Sequence, residues 1–384
     1  MIKLLQNKNS GSQSDYLLFF TDDVLEKVNS FHKTIPGFEA TPLVSLPEKA
    51  KELGIDKLWV KDESKRLGLN AFKVLGASYA ITNFVYDKSG WGKTELSFTR
   101  LLKENLSGFT LTTATDGNHG RAVAWTARQL GCRSCIFMPS TSSPARIRNI
   151  DQFSTITIVI DGNYDKAVAE AKDFSAKNNA ILVQDTAWEG YEQIPLYIMQ
   201  GYLTLAKEIY EQLEGERFTH IFLHCGVGSM AAAIEAYLVN RFGKNKPKTI
   251  IVEPDKADCF SRSMEIGDGE SHTIEGEVNS LMAGLSCGTP STVAWDIIHK
   301  HSDYFISCDD EVTKQGMRGF AYPEANDPAI TSGESGAVSL GILGQLKKHN
   351  SGLLEELCID SSSKVMLIST EGDTDPVSYR GTVK

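Results

Sequence analysis

The chain has 384 residues, of which 41% are hydrophobic and 23% charged, a composition typical of a folded protein long enough for two domains. The net charge of -10 and the lack of a dense Lys/Arg cluster argue against nucleic acid as a partner, because phosphate binding needs a basic surface. The first 20 residues are too polar for a signal peptide and no window reaches membrane-spanning length, so we expect a cytoplasmic protein without a membrane partner.

Short apolar, β-branched runs recur along the chain and predict buried strands. These runs lie at 57–60, 109–114, 134–138, 155–160, 180–184, 220–225, 249–253 and 365–369. Helical patterns lie between many of them, at 120–131, 164–178, 192–213 and 229–243. The alternation predicts an α/β fold with parallel sheets, and the segment 266–277 is predicted to be a surface loop or lid.

The seven cysteines are scattered and odd in number, which fits neither a disulfide framework nor paired zinc ligands. Cys132 and Cys135 have the spacing of one ligand pair, but no second pair follows. We therefore predict no metal site. A disulfide between Cys259 and Cys287 under oxidation is a hypothesis that thiol counting with and without reductant would test.

Lys73 lies in the segment NAFKVLGASYA, residues 70–80, whose small and apolar residues predict the start of a buried helix. Burying an unpaired ammonium is costly, so such a lysine has a partner, a depressed pKa or a covalent bond. The alternative is a lysine that reaches water from the helix end.

The segment LHCGVGSMAAA, residues 223–233, runs from a predicted strand through glycines into a helix of small residues. Such a loop brings backbone amides close to an anion, and the helix dipole adds positive potential. The residues whose amides predict a phosphate site are Gly226, Val227, Gly228, Ser229 and Met230. A tight strand-to-helix turn without a ligand is the alternative.

A second polar loop, in TTATDGNHGRAVAW at 112–125, also precedes a helix. Thr115, Gly117, Asn118 and His119 are candidates for presenting backbone amides to a substrate carboxylate. Asp116 would repel an anion, so it either caps the helix or serves a cation or a proton. We interpret His119 as presenting its backbone amide rather than as a general base, because no nucleophile lies nearby in the sequence.

Two further polar segments follow predicted strands. LISTEGDTDP, at 367–376, offers the hydroxyls of Ser369 and Thr370 to an uncharged ring nitrogen, although a solvated turn is the alternative. VQDTAWEGY, at 183–191, places Asp185 just after a strand, where ligands gather in parallel sheets. A lysine, a phosphate cradle, a carboxylate-binding loop and a hydroxyl are together what pyridoxal 5'-phosphate requires.

These motifs resemble those of the tryptophan-synthase-like, fold type II pyridoxal phosphate enzymes. The blocks VKDESKRLGLNAFKVLG, QDTAWEGYEQIPLYIMQGY, IIVEPDKADC and SGESGAVSLG resemble, more narrowly, the diaminopropionate ammonia-lyase family. The resemblance implies two three-layer α/β domains with mostly parallel twisted sheets and the cofactor in the cleft between them. It further implies a large domain of residues 1–84 and 193–384, a small domain of residues 85–192, and a homodimer.

By that resemblance Lys73 binds the cofactor covalently, Gly226 to Met230 bind its phosphate, Asn118 contacts the ring hydroxyl and Thr370 the ring nitrogen. Lys73, Asp116 and Asp185 are the implied catalytic residues. The reaction needs one group that keeps the leaving amine protonated and one base that removes the α-proton. The two aspartates suit these two tasks. The implied substrate-binding residues are Thr115, Asp116, Asn118, His119 and Asp185.

The implied reaction removes ammonia from the amino acid 2,3-diaminopropionate and leaves an aminoacrylate, which hydrolyses to pyruvate and a second ammonia. Both enantiomers are expected to react, with Lys73 serving one face and Asp116 the other. A serine or threonine dehydratase on the same scaffold is the main alternative, although a hydroxyl leaving group gains little from two acids. A β-replacement synthase and a catalytically silent amino acid sensor also stay open.

Overall fold

The computed structural model describes residues 2–8, 11–92, 95–153, 155–276 and 278–384. The strands of these residues are β1 Ile2–Gln6, β2 Leu43–Ser45, β3 Lys57–Asp62, β4 Thr110–Ala114, β5 Arg133–Pro139, β6 Ile156–Ile160, β7 Ile181–Leu182, β8 His220–His224, β9 Lys248–Pro254, β10 Tyr304–Cys308 and β11 Lys364–Ser369. Short 3₁₀-helices lie at Asp15–Phe19, Arg66–Gly68, Gly243–Asn245 and Ala283–Leu285.

The α-helices alternate with the strands over most of the chain. They are α1 Asp22–His32, α2 Pro47–Leu53, α3 Lys73–Lys88, α4 Phe98–Leu101, α5 Asn118–Leu130, α6 Pro144–Asp151, α7 Tyr164–Asn178, α8 Gln193–Gly201, α9 Leu203–Gln212, α10 Ser229–Phe242, α11 Cys259–Ile266, α12 Thr292–His301, α13 Asp310–Ala321, α14 Glu334–His349, α15 Ser351–Glu356 and α16 Pro376–Val383. No helix among the described residues combines the length and the apolar character that crossing a membrane requires.

The strands form two mostly parallel sheets. The larger has seven strands in the order β1-β10-β9-β8-β11-β3-β2, and only its edge strands β1 and β2 pair antiparallel to their neighbours. The smaller is parallel throughout, in the order β6-β5-β4-β7. Every strand run predicted from the sequence is present, so the prediction of an α/β fold with mostly parallel sheets is confirmed. Strands β1, β2 and β10 were missed.

Each sheet takes its strands from a separate part of the chain. The smaller sheet is built from strands between residues 110 and 182, and the larger sheet from strands before and after that range. On this ground we propose that residues 85–192 form the small domain and that residues 1–84 and 193–384 form the large domain.

The predicted helical stretch 192–213 is divided into α8 and α9 at Tyr202, whose ring packs against Phe72 with 4.7 Å between ring centroids. Helix α8 also packs closely on α3. A Cβ added to Gly201 would lie 2.4 Å from Leu75 O, closer than any side chain allows. This contact fixes the first turn of α3, which begins at Lys73.

Helices α13 and α14 are held in backbone contact by Gly341, because a Cβ added there would lie 2.0 Å from Val312 O. We expect Gly341→Ala to lower the free energy of unfolding by about 2 to 3 kcal/mol, since the two backbones must move apart. Gly344→Ala in the same helix is the matched control, because its Cβ would meet nothing within 4 Å. It should raise stability by up to about 1 kcal/mol. Urea unfolding measures the free energy of unfolding of both variants. Equal changes in the two variants would contradict the close backbone contact at Gly341.

His32 is buried, with Nδ1 2.7 Å from Thr204 Oγ1 and Nε2 2.9 Å from Leu75 O. Burial lowers its pKa to about 3. In the unfolded chain its pKa is near 6.5, so as the pH falls the unfolded state takes up the proton first. The stability that His32 contributes is therefore present above about pH 6.5 and decreases between about pH 6.5 and 3.

The test of this pH dependence is urea unfolding of the protein at pH 7.5 and at pH 5. We expect His32→Gln to reduce the loss of stability between the two pH values. The variant His349→Gln, at an exposed position at the end of α14, should leave that loss unchanged. A loss of the same size in both variants would show that His32 is not its source.

Candidate active site

A cavity of about 490 Å³ lies where the carboxyl ends of β4 and β7 in one sheet face those of β8 and β11 in the other. Ser369, one of the two hydroxyls offered to a ring nitrogen, does not line it, and its Oγ donates to Ser332 Oγ at 2.8 Å. The other site residues predicted from the sequence all line the cavity. They are Lys73, Thr115, Asp116, Gly117, Asn118, His119, Asp185, Gly226, Val227, Gly228, Ser229, Met230 and Thr370. The structure thus brings together residues from five separate segments of the chain. Parallel strands explain this convergence, because their carboxyl ends share one edge of a sheet.

Lys73 is paired with a carboxylate inside this cavity. Its Nζ donates a hydrogen bond to Asp185 Oδ2 at 2.7 Å, and the lysine side chain is 20% exposed. Burial alone would lower the pKa of Lys73, but the charge of Asp185, together with smaller contributions from Tyr202, the hydrogen bond to Asp185 and Cys287, outweighs burial and raises that pKa. The ammonium therefore has a partner, and the alternative of a lysine that merely reaches water does not hold.

Asp185 is the common neighbour of Lys73 and His119. Burial would raise the pKa of Asp185, but His119 and Lys73 together lower it to about 2, so the group is a carboxylate at neutral pH. The Nε2 of His119 donates to Val183 O at 2.7 Å, and its Nδ1 lies 3.8 Å from Asp185 Oδ2. Burial lowers the pKa of His119, so its imidazole is neutral. Its side chain thus lies beside the predicted catalytic groups.

The glycine loop between β8 and α10 has the backbone that an anion site needs. Gly228 has a φ of +94°, and a Cβ there would lie 2.5 Å from Phe260 Cζ, so the position requires glycine. The helical hydrogen bond from Ala232 N to Gly228 O measures 2.8 Å, which leaves the preceding amides outside the helical pattern. Ser229 Oγ donates to Asp185 O at 2.6 Å and so ties the loop to the lysine partner.

Asp116 and Asn118 each lie next to a charged residue that also lines the cavity. Burial raises the pKa of Asp116, although Arg146, whose Nη1 lies 3.9 Å from Asp116 Oδ2, partly offsets the effect. Arg146 also pairs with Glu334 on α14. Asn118 Nδ2 donates to Glu371. The amide predicted to contact the ring hydroxyl thus has a protein partner in this structure.

Several polar residues that line the cavity were missed in the sequence, among them Tyr164, Arg146, His224 and Glu371. His224 lies at the end of one predicted strand and Glu371 just after another. Asp185 was identified because polar residues at strand ends line ligand sites in parallel sheets, and the same rule would have identified these two residues. Tyr164 is the first residue of α7, and its hydroxyl accepts from Gln184 Nε2 at 2.7 Å. Arg146 carries no local signal, since nothing in its helix distinguishes it from a surface arginine.

The donor set of the cavity fits pyridoxal phosphate. It combines a lysine, the free amides of a glycine loop and the Thr370 hydroxyl. In addition, Ser335 Oγ, His119 Nδ1 and His224 Nδ1 are buried without a hydrogen-bond partner among the described residues, and all three residues line the cavity. Because buried polar atoms are normally hydrogen-bonded, the cavity is suited to a polar ligand.

Known proteins are similar to this chain in both sequence and structure. A family described as pyridoxal-phosphate dependent enzyme matches residues 35–358. The diaminopropionate ammonia-lyase of Salmonella typhimurium is 43% identical over 377 residues, which cover 96% of this chain and 93% of that relative. The chain belongs to the diaminopropionate ammonia-lyase family of pyridoxal-phosphate dependent enzymes. The predicted family and the predicted cofactor are thereby confirmed.

Two crystal structures of the diaminopropionate ammonia-lyase from Escherichia coli show the same fold. One is a complex with D-serine, with a TM-score of 0.94 and 42% identity over 100% of this chain and 97% of that one. The other is a complex with an aminoacrylate-PLP azomethine intermediate, with a TM-score of 0.92 and 41% identity over 100% and 97%. Fold type II is therefore confirmed for this chain of the diaminopropionate ammonia-lyase family.

Proposed function

We propose that the chain catalyses the elimination of ammonia from 2,3-diaminopropionate and so produces pyruvate and two ammonia. The observation that carries the proposal is the pair of aspartates, Asp116 and Asp185, lining one cavity with Lys73. The full-length similarity to diaminopropionate ammonia-lyases supports it. The aminoacrylate in the Escherichia coli complex supports the elimination chemistry.

Pyridoxal phosphate, held by Lys73 and by the amides of Gly226 to Met230, would supply an electron sink for the negative charge that develops at the substrate α-carbon. The proton on that carbon needs a base. We assign one face to Lys73, which would act as the base in its uncharged amine form. We assign the opposite face to Asp116, since burial raises its pKa above that of an ordinary aspartate and so makes its carboxylate a stronger base.

The pKa of Asp185 is lowered, whereas that of Asp116 is raised, and we assign Asp185 to the leaving group. Its pKa of about 2 keeps it ionised, so it can bind the ammonium at the substrate β-carbon and hold that group protonated. An amine leaves as ammonia only when it carries this extra proton. Thr115, in the loop before α5, and Asn118 and His119, in the first turn of α5, would bind the substrate carboxylate, with the helix dipole favouring the negative charge.

The alternative of a serine or threonine dehydratase differs in what the aspartates would do. A neutral hydroxyl substituent would leave the carboxylate of Asp185 without a cationic partner from the substrate. Binding that leaves buried charged groups unpaired is unfavourable, so a hydroxy amino acid should be the poorer substrate.

The experiment compares kcat/KM of the holoenzyme for D- and L-2,3-diaminopropionate, serine and threonine, with 2-keto acid release as the readout. We expect the diamino acid to exceed both hydroxy amino acids by at least about 100-fold. A higher kcat/KM for serine or threonine would overturn the proposal and favour the dehydratase. A yellow holoenzyme that releases no keto acid from any of them would favour an amino acid sensor.

We also propose that both enantiomers of the substrate react. The Escherichia coli relative in complex with D-serine supports a site that accepts the D configuration. The family resemblance further supports a homodimer in the cytoplasm. Sedimentation of the holoenzyme at twice the mass of one chain would support the dimer, and a monomer mass would contradict it.

A further inference from the structure

His224 has no role in the mechanism above, although it lines the same cavity. It is the last residue of β8, directly before the glycine loop, and is only 4% exposed. Its Nε2 lies 2.8 Å from Thr370 Oγ1, the hydroxyl assigned to the cofactor ring nitrogen. The backbone carbonyl of Thr370 accepts from Phe72 N at 3.1 Å, so Thr370 is held both from β8 and from the start of α3.

The protonation of His224 decides which way the hydrogen bond to Thr370 runs. Burial, assisted by the charge of Lys73, lowers the pKa of His224 to about 3, so its imidazole is neutral and has a single N–H. Its Nδ1 is buried and has no hydrogen-bond partner among the described residues. A buried N–H without an acceptor is rarer and more costly than an unused acceptor atom. The proton therefore belongs on Nε2, where Thr370 Oγ1 can accept it.

We propose that His224 is a positioning residue that donates to Thr370 Oγ1 and thereby leaves the Thr370 hydroxyl proton free to be donated to the ring nitrogen of the cofactor. The inference rests on the proposed function and on the family resemblance, by which Thr370 contacts that nitrogen. With the opposite polarity, Thr370 would donate to His224 and could only accept from a protonated ring nitrogen. The polarity matters chemically, because an unprotonated ring is the weaker electron sink and favours elimination over transamination.

The first test observes the His224 tautomer directly in the wild-type holoenzyme. The chain has eight histidines, so nitrogen NMR of protein labelled with ¹⁵N-histidine resolves few signals, and the spectrum of His224→Gln identifies those of His224. We expect a neutral ring with its proton on Nε2. A proton on Nδ1, or a doubly protonated ring at neutral pH, would overturn the proposal. This readout does not depend on any substrate.

The second test uses two variants that differ in their ability to donate. His224→Gln retains an N–H that can reach Thr370, whereas His224→Leu removes the donor at similar bulk. We expect the leucine variant to lose a roughly tenfold larger share of its turnovers to transamination than the wild type does, because it lacks one buried hydrogen bond. The absorbance of the pyridoxamine form of the cofactor measures this share. The glutamine variant should stay within about twofold of the wild type.

Equal transamination in the two variants would contradict the inference, because packing at position 224 would then matter more than the hydrogen bond. The pyruvate released by the wild type from 2,3-diaminopropionate is measured in the same reactions. A wild type that releases no pyruvate refutes the proposed function. In that case the tautomer of His224 still shows the direction of the hydrogen bond between His224 and Thr370. Failure of one proposal can thus be told from failure of the other.

Discussion

Lys73→Arg should lower kcat for pyruvate formation from 2,3-diaminopropionate by about four orders of magnitude, because the variant loses both the covalent link to the cofactor and a base. Arginine keeps the positive charge beside Asp185, which Lys73 contacts at 2.7 Å, so the ion pair of the resting site is retained. Lys73→Ala, which leaves the buried carboxylate unpaired, should in addition lower the thermal midpoint of unfolding.

The measurement for Lys73 combines steady-state kinetics with the visible absorbance of the purified protein. Both variants should lack the absorbance of a covalently bound cofactor even when pyridoxal phosphate is added. Lys88→Ala, an exposed lysine at the other end of α3, serves as the control and should retain wild-type kcat. A Lys73→Arg protein with more than a tenth of the wild-type kcat would show that Lys73 does not have the assigned role.

Asp116→Asn should separate the two enantiomers. If Asp116 takes the α-proton on the face opposite Lys73, the variant loses about 100-fold or more in kcat with D-2,3-diaminopropionate and much less with the L isomer. The substitution is well suited to the site, because Arg146 retains its ion pair with Glu334 when the charge of Asp116 is removed. The rest of the cavity thus keeps its charge arrangement.

Asp185→Asn is the matched comparison for Asp116→Asn. Asp185 is assigned to the β-ammonium, which both isomers carry, so its loss should reduce kcat for the two enantiomers by similar factors. Parallel assays of both isomers with both variants give the ratio directly. Equal losses in Asp116→Asn would rule out a face-specific role for Asp116, and a strong preference in Asp185→Asn would exchange the two assignments.

The strands and the glycine loop could be predicted because each is encoded locally. A run such as 220–225 is apolar and β-branched, and the glycines after it permit the positive φ that Gly228 adopts. Strand β2 was missed because its three residues are too few to form a pattern. Strand β1 was missed because its sequence, IKLLQ, has one β-branched residue and interrupts its apolar residues with lysine. Strand β10, with the sequence YFISC, is rich in the aromatic and β-branched residues that favour strands, so the signal was present in the sequence and was overlooked.

The partners within the site could not be predicted, since they depend on how distant segments approach one another. Lys73 and Asp185 are separated by 112 residues, and Arg146 and Glu334 by 188. Their pKa shifts follow from those contacts and from burial, which no local window of sequence contains. The sequence placed Asp185 at a strand end as a candidate acid, but only the fold shows that it holds the lysine.

The pairing of distant cysteines is equally hard to predict from local sequence, as the disulfide hypothesis for Cys259 and Cys287 shows. Cys259 and Cys287 are both free thiols in the structure, as are the remaining cysteines of the described residues. Burial raises the pKa of the Cys287 thiol, which lines the active-site cavity. A thiol with a raised pKa is a poor nucleophile at neutral pH, so pairing of Cys287 stays a hypothesis for oxidising conditions.

The most direct test of the account is the ratio of ammonia to pyruvate that the holoenzyme releases from 2,3-diaminopropionate. Elimination of the β-amine followed by hydrolysis of the remaining imine nitrogen predicts two ammonia for each pyruvate, in parallel time courses. One ammonia for each keto acid, with the second nitrogen retained in the product, would contradict the assignment of the β-amine as the leaving group and of Asp185 as its partner.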